Sequence, residues 1–409
     1  MKYVDFVDLE YRPKETDVVC TFLVEPNGVS LKEAAGAVAA ESSIGTWTEL
    51  TTIKPYVEKL AAHVFSIDAN VAKIAYPVEL FEQGNMPNIL SSVSGNVFGL
   101  RTLKNLRLED TSFPDHVVAG FEGPKYGIEG IRRLLKIYDR PLVGTIIKPK
   151  LGLKTEDHAR VAYEAWVGGC DVVKDDENLG GQKFNPFEER LAKTLESRDR
   201  AEKETGERKV YMVNVTAETE EMLRRADVVL RHGGEYVMID MLTCGFAALQ
   251  TFRKQDFRLV IHAHRAGHAA VTKNSKHGVS MRVLSKVARM IGVDQLHVGT
   301  VVGKMFETKE EVAQNCEALK TGTIKLKPVL PVASGGLYPG VVPALVEFFG
   351  NDFVIQAGGG IHGHKDGTVA GAKAMRQAVE ATLRGVTLSE FAEKHRELKV
   401  ALEMWPQTV

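Results

Sequence analysis

The run Lys174-Asp175-Asp176-Glu177-Asn178 is the sharpest cluster of chemically competent side chains in the sequence. It closes a short apolar stretch, Asp171–Asp176, that reads as a strand. Side chains alternate along a strand, so Lys174 and Asp176 face one way and Asp175 the other. Asp175 is therefore read as structural. Glu177 opens the loop and can swing inward. Two carboxylates at one point make a hard oxygen site of the kind magnesium takes. An ammonium beside them would repel the cation. A neutral amine that captures CO2 would not, because its carbamate is an anionic oxygen ligand, and buried lysines change protonation state readily. The alternative is a salt-bridged strand end, since structural ion pairs are common.

Other polar residues recur in the same setting. Lys148-Pro149-Lys150, Asn214, Asp240, His262-Ala263-His264-Arg265 and His297 each end or follow an apolar run. Two further runs end in Ser334-Gly335-Gly336 and Gly358-Gly359-Gly360. Glycine ends expose N–H groups that can cradle an oxyanion, with ordinary turn glycine as the alternative. His264, Arg265 and His297 fit a base, a phosphate clamp and a phosphate ligand. A lone histidine is more often a satisfied core residue, and His262, His268 and His277 are read that way. His63, His116, His158, His232 and His395 are read as surface. Lys304, in Gly299-Thr300-Val301-Val302-Gly303-Lys304, suits a mobile lid that carries a cation to a substrate. A solvated loop lysine is the plainer reading of that residue alone.

The elements that must position these residues follow a regular rhythm from about residue 140 onward. Eight apolar runs, Pro141–Lys148, Asp171–Asp176, Lys209–Thr216, Tyr236–Leu242, Arg258–Arg265, Gln295–Gly299, Val329–Gly336 and Phe353–Gly360, alternate with amphipathic stretches. The helical stretches include Thr155–Val167, Phe187–Thr205, Glu218–Arg231, Met281–Ile291, Glu307–Leu319, Val341–Phe349 and Val369–Leu383. Strands alternating with helices pair in parallel through right-handed crossovers. Eight such units close into a (β/α)8 barrel, whose chemistry sits at the C-terminal strand ends. A doubly wound sheet is the alternative, without the glycine fingerprint expected after its first strand. The first part of the chain differs. Val18–Val24 and Val71–Ala75 read as strands, and Leu31–Glu41, Pro55–Leu60 and Met86–Ser92 as helices. These predict a mixed α+β domain over 1–124, of ferredoxin-like type, and a barrel domain over 125–409. Phe121-Glu122-Gly123-Pro124 reads as the hinge, and Leu388–Trp405 as one extra C-terminal helix.

Bulk composition narrows the function classes. The 409 residues are 44% hydrophobic, enough for a large core, and 52 basic residues nearly balance 53 acidic ones. No long-range positive field exists to collect nucleic acid or anionic lipid. The four cysteines, Cys20, Cys170, Cys244 and Cys316, are far apart and form no CxxC pair, which argues against a disulfide framework or a zinc site. No apolar run approaches the ~20 residues of a membrane span, and the start Met1-Lys2-Tyr3-Val4-Asp5 lacks a signal-peptide pattern. A cytoplasmic protein is expected.

Taken together, the motifs resemble those of the large subunit of ribulose-1,5-bisphosphate carboxylase/oxygenase (Rubisco), nearest to the archaeal form III branch and its methanogen-type sequences. The similarity runs from about residue 35 to the C-terminus. Its carriers are Ala39 through Thr48, Gly95-Asn96-Val97-Phe98-Gly99, Lys148-Pro149-Lys150, Gly168 through Asn178, His262 through Ala266, His297 through Lys304, Ser334-Gly335-Gly336 and Gln356 through Gly360.

The resemblance implies carboxylation of D-ribulose 1,5-bisphosphate by CO2 to two molecules of 3-phosphoglycerate, with an oxygenase side reaction, via an enediolate on magnesium acting as Lewis acid. It makes Lys174 a carbamylated lysine that holds magnesium with Asp176 and Glu177 and takes the C3 proton. Lys148 protonates the last carbanion, Lys150 orients the metal shell, and Lys304 stabilises the incoming carboxylate. His264 and His297 assist hydration and bind substrate. Arg265 and Ser334 hold one phosphate; Gly336, Gly358, Gly359, Thr46 and Trp47, with Gly335 alongside, hold the other. Glu41 and Asn96 come from a second subunit, so the implied assembly is a homodimer with shared sites or an oligomer of dimers, without a small subunit. Three features depart from the family pattern: Met305-Phe306-Glu307 after Lys304, Gly267 beside His268, and the His362-Gly363-His364-Lys365 turn. A Rubisco-like enolase or isomerase acting on a related phosphorylated ketopentose is the runner-up. A Schiff-base aldolase would leave Asp176 and Glu177 unexplained.

Overall fold

A computed structural model describes residues 1–303, 305–321 and 326–405. The chain divides into two compact units. One holds Met1–Gly123 with Gly267–Ile291, Thr321 and Leu326; the other holds Pro124–Ala266, Gly292–Lys320 and the chain from Lys327 onward.

The first unit is built on β1 (Val18–Pro26), β2 (His63–Asp68), β3 (Val71–Tyr76) and β4 (Leu103–Ser112), with helices Leu31–Glu41 and Met86–Val93 between them. The sheet order β4-β1-β3-β2 is antiparallel, which is the ferredoxin-like βαββαβ arrangement. Strand β1 shows why it forms: Val18, Cys20, Phe22 and Val24 are buried and alternate with half-exposed residues. Ser30 caps the following helix by accepting from the Glu33 N–H at 3.2 Å. A short strand, Gly278–Val279, extends this sheet by pairing in parallel with β4. The sequence reading did not include β2, β4 or this extension.

The second unit contains β5 (Leu142–Ile146), β6 (Val172–Lys174), β7 (Val210–Asn214), β8 (Tyr236–Asp240) and β9 (Val260–His264). Counting Gly278–Val279 as β10, it continues with β11 (Gln295–His297), β12 (Leu330–Ser334) and β13 (Val354–Ala357). All eight strands pair in parallel, and β13 returns to β5 to close the barrel. Each lies inside one of the apolar runs read from the sequence. Helices Thr155–Val167, Phe187–Thr205, Thr219–Arg231 and Thr368–Leu383 are among those that alternate with them. The C-terminal segment departs from expectation. It forms two helices, Leu388–Ala392 and Arg396–Met404, instead of one. The break has a local cause: the His395 ring stacks on Phe391 at 3.8 Å and bonds the Phe391 carbonyl at 2.7 Å, while its backbone is extended.

The barrel interior is layered along the strands. Leu142, Val172, Val210, Tyr236, Val260, Leu330 and Val354, near the strand starts, form one buried cluster with Ile128, Ile131 and Leu135 of helix Gly127–Leu135. Two and four residues further along the same faces come Lys174, Asn214, Asp240, His262, His264 and Ser334. Apolar side chains thus fill one end of the interior and polar ones gather at the other.

Candidate active site

Lys174 ends β6 and is fully buried. Its Nζ donates to the Asp175 carbonyl at 2.7 Å and lies 3.5 Å from Glu177 Oε2. Burial pulls its pKa below the ordinary lysine value, against the pull of Glu177, Asp176 and Asp240 in the other direction. Asp176 is also fully buried; Lys148 Nζ donates to its Oδ2 at 2.8 Å, and Asn178 donates to its Oδ1 from backbone and side chain. Glu177 faces three cations or potential cations: Lys174, His264 Nε2 at 3.7 Å and Lys150 Nζ at 3.9 Å. Burial would raise its pKa, but Lys174 and then His264 outweigh that and bring it down to about 2.

Asp175 turns away from this group. Its buried carboxylate accepts from Tyr211 Oη at 2.6 Å, the Asn214 N–H at 3.0 Å, His158 Nε2 at 3.1 Å and Arg190 Nε at 3.2 Å. His158, read as a surface residue, is instead buried, because the helix Thr155–Val167 directs it at Asp175. Asn214, at the end of β7, holds the loop after β6 by donating to the carbonyls of Glu177 and Leu179, each at 3.0 Å.

On the far side of the barrel mouth, His264 Nδ1 bonds Asp240 Oδ1 at 2.7 Å. The Ala266 N–H also reaches this Nδ1, at 3.2 Å, and Nε2 is turned toward Glu177. His297 stands edge-on to His264, with ring centroids 4.7 Å apart. Its Nδ1 is 2.7 Å from Ser334 Oγ and its Nε2 is 2.9 Å from His262 Nε2. His262 in turn meets Gln295 Oε1 at 2.7 Å. Burial holds both rings neutral: it takes His297 well below the usual histidine value and His262 down to about 3. His262 was read as a core residue; it is fully buried, yet it joins the polar chain that ends at Ser334. Gln295 was missed altogether, although its parity with His297 on β11 was available as a signal.

The structure therefore brings Lys148, Lys150, Lys174, Asp176, Glu177 and His264 into one group, with His297 and Ser334 beside it. Arg265 follows β9 and is buried against Glu307. Gly358 lies against Lys148, where an added Cβ would stand 3.1 Å from Lys148 Cε. Gly359 opens the helix that follows it, and Gly335 and Gly336 turn the chain after β12 with positive φ. Glu41, Thr46, Trp47 and Asn96 belong to the first unit. Glu41 ends helix Leu31–Glu41 and accepts from Tyr3 Oη at 2.7 Å. Thr46 is half-buried and Asn96 is exposed, while Trp47 is 81% exposed. Lys304 lies outside the described residues.

Among the described residues, no three His, Cys, Asp or Glu side chains stand together as a metal group. Asp176 and Glu177 supply two carboxylates at this point, and Lys174 would add a third anionic arm if its amine took up CO2. The donor set would then be all oxygen, which suits magnesium. A buried amine with a depressed pKa, next to a carboxylate, fits that modification.

Polar side chains at the carboxyl end of a closed parallel barrel define a (β/α)8 protein that does its chemistry on the strand-end loops. Within that class the comparisons are specific. Residues 5–117 match the N-terminal domain, and residues 127–405 the catalytic domain, of the ribulose bisphosphate carboxylase large chain. The chain belongs to this family. The ribulose bisphosphate carboxylase of Methanocaldococcus jannaschii is 51% identical, over 98% of this chain and 100% of the relative. That of Pyrococcus abyssi is 50% identical, over 98% of this chain and 96% of the relative. Among solved structures, the octameric Rubisco of Pyrococcus horikoshii OT3 superposes with a TM-score of 0.96 at 49% identity, over 99% of this chain and 97% of that one. The dimeric archaeal Rubisco of Hyperthermus butylicus gives 0.92 at 46% identity, over 99% of this chain and 100% of that one.

Proposed function

We propose that the chain carboxylates D-ribulose 1,5-bisphosphate, joining it with CO2 and one water to give two molecules of 3-phosphoglycerate, and that O2 competes in a side reaction. The relatives that share about half its residues carry the name ribulose bisphosphate carboxylase. The observation that carries the reading is Lys174, a fully buried amine whose charged form is disfavoured, set against Glu177. Such an amine is suited to hold CO2 as a carbamate. With Asp176 and Glu177 it would then hold magnesium, which supplies Lewis acidity toward the substrate carbonyl.

The residues divide the remaining work. Lys174, once carbamylated, would take the C3 proton. Asp240 orients His264, whose Nε2 assists hydration of the new carbon–carbon adduct. Lys148, within reach of Asp176, returns a proton to the last carbanion, and Lys150 orients the ligands through Glu177. Arg265, His297 and Ser334 take one phosphate. Gly335, Gly336, Gly358, Gly359, Thr46 and Trp47 take the other. Lys304 neutralises the incoming carboxylate. In this proposal residues 125–409 supply the catalytic groups, while Glu41 and Asn96 reach the site of a second copy, so the active unit is a homodimer or an assembly of dimers in the cytoplasm.

The test is a labelled-bicarbonate assay with ribulose bisphosphate and magnesium. Label is expected in 3-phosphoglycerate with the native chain and not with Lys174→Ala. Equal counts from both would sink the carboxylase reading. Substrate trapped by borohydride in EDTA would point to a Schiff-base lysine.

A further inference from the structure

Arg265 is 4% exposed and follows directly on β9. Its Nη2 stands 2.5 Å from Glu307 Oε1, and both side chains are almost wholly buried. Its Nη1 is buried with no hydrogen-bond partner among the described residues. A guanidinium presents a planar fork that suits two oxygens of one anion. Here only one arm of the fork meets an oxyanion and the other is idle.

Glu307 reaches Arg265 because of the path of the chain after β11. Gly299 has φ +97°, and a Cβ added there would stand 3.2 Å from Glu307 Cδ and 3.3 Å from Arg265 Nη2. The glycine leaves the room in which the pair meets. Met305, two residues before Glu307, lies over the turn after β12: a Cβ on Gly335 would meet its Cγ at 2.5 Å. The segment 305–307 therefore covers Gly335 and occupies Arg265 at once. It reaches two of the positions that the proposed function assigns to substrate phosphates.

We propose that Glu307 is a resident counter-ion that holds Arg265 in the substrate-free protein and opposes an incoming phosphate group there. This rests on the reading of Arg265 as a phosphate ligand. Nη1 and the second N–H of Nη2 stay open to phosphate oxygens, but a phosphate there stands beside the Glu307 carboxylate, and two anions at that buried point repel each other. Binding a phosphate group there thus works against the Glu307 charge, which lowers apparent affinity for anions. Glu307 is a specificity-setting residue in this account: it makes the site demand a strongly charged, multidentate anion. It takes no part in bond making.

The test uses the intact native chain and Glu307→Gln, with inorganic phosphate as probe, measured by calorimetry and by competition against ribulose bisphosphate. Glutamine keeps the shape and removes the charge. Phosphate should bind Glu307→Gln on the order of tenfold or more tightly than the native chain, because one like charge beside the bound anion is removed. KM for the bisphosphate should fall, with no rise in kcat. Arg265→Ala in the Glu307→Gln background should abolish the gain. Glu307→Asp, which keeps the charge but shortens the reach, should fall between, and it serves also if Glu307→Gln folds poorly. Phosphate affinity that is unchanged or weaker in both variants overturns the proposal and leaves Glu307 a structural partner. No phosphate binding to any of the proteins overturns it too, by removing Arg265 as an anion ligand. The binding measurement needs no turnover, so a failed labelled-bicarbonate assay would leave it standing or falling independently.

Discussion

Asp175 and Asp176 are neighbours with unlike duties. Asp175 neutralises buried Arg190 and collects hydrogen bonds from His158, Tyr211 and Asn214. Asp176 faces Lys148 and the proposed metal position. Replacing one member of a buried ion pair strands the other charge, at a cost of about 3–5 kcal/mol. Asp175→Asn is therefore expected to lower unfolding free energy by that amount in urea titrations. Asp176→Asn should cost less stability and yet remove magnesium-dependent carboxylation. A pattern in which both variants lose stability equally would place Asp176 in the scaffold. A second prediction concerns Lys174. In 13C-bicarbonate and magnesium the native protein should show a carbamate carbon resonance that is absent from Lys174→Ala. The opposed faces of Asp175 and Asp176 were legible in the sequence because strand parity is a local property. The place of His158 was not, since it depends on how a helix docks. Nor was the Arg265–Glu307 pair, which depends on the path of a loop.

The strand ends are held in register by ion pairs at the opposite end of the barrel. Asp171, just before β6, is fully buried; it receives both Nη1 and Nη2 of Arg140 at 2.7 Å, the Val143 N–H at 2.8 Å and Arg376 Nη1 at 3.2 Å. This ties β5, β6 and helix Thr368–Leu383 together. Burial alone would raise its pKa, but Arg140 and then Arg376 outweigh that and hold it below the usual aspartate value. A depressed folded-state pKa means the carboxylate adds stability that is fully present above the unfolded value of about 4 and is lost as pH falls through the lower folded value. Melting temperature should thus drop more steeply below about pH 4 in the native chain than in Asp171→Asn, which starts lower. Parallel slopes would show that Asp171 does not control the acid limb. The βα rhythm and the closed barrel were legible because fully buried parallel strands read as short continuous apolar runs. Strand β4 was harder to see. Its run Leu103-Lys104-Asn105-Leu106-Arg107-Leu108-Glu109-Asp110 mixes charge with leucine, and the burial of Arg107 rests on Glu109 and on the Thr272 and Asn274 carbonyls, far along the chain, that accept from it.

At the scale of the whole molecule, the proposed dimer makes a claim that neither unit makes alone. If Glu41 serves a second copy, then Lys174→Ala and Glu41→Gln damage different halves of each shared site. Mixed assemblies formed by co-expression should regain about a quarter of native activity, because half the dimers are mixed and each holds one intact site. Each variant alone should be inactive. Failure to regain activity, with mixed dimers shown by mass spectrometry, would put Glu41 and Lys174 in the same copy. No helix among the described residues is long and apolar enough to cross a membrane. The near balance of charge fits recognition by local groups such as Arg265, with no role for a general field.

The layered interior has a further consequence for how such a chain tolerates change. Along β6, β7, β8, β9 and β12, greasy and reactive residues sit on one side because they share odd or even count. Inserting a single amino acid inside β6 or β9 would turn Lys174 or His264 outward while leaving composition almost untouched. Length changes should therefore be tolerated only in the connecting loops of the barrel, where a deep insertion scan should map eight short forbidden zones separated by permissive ones.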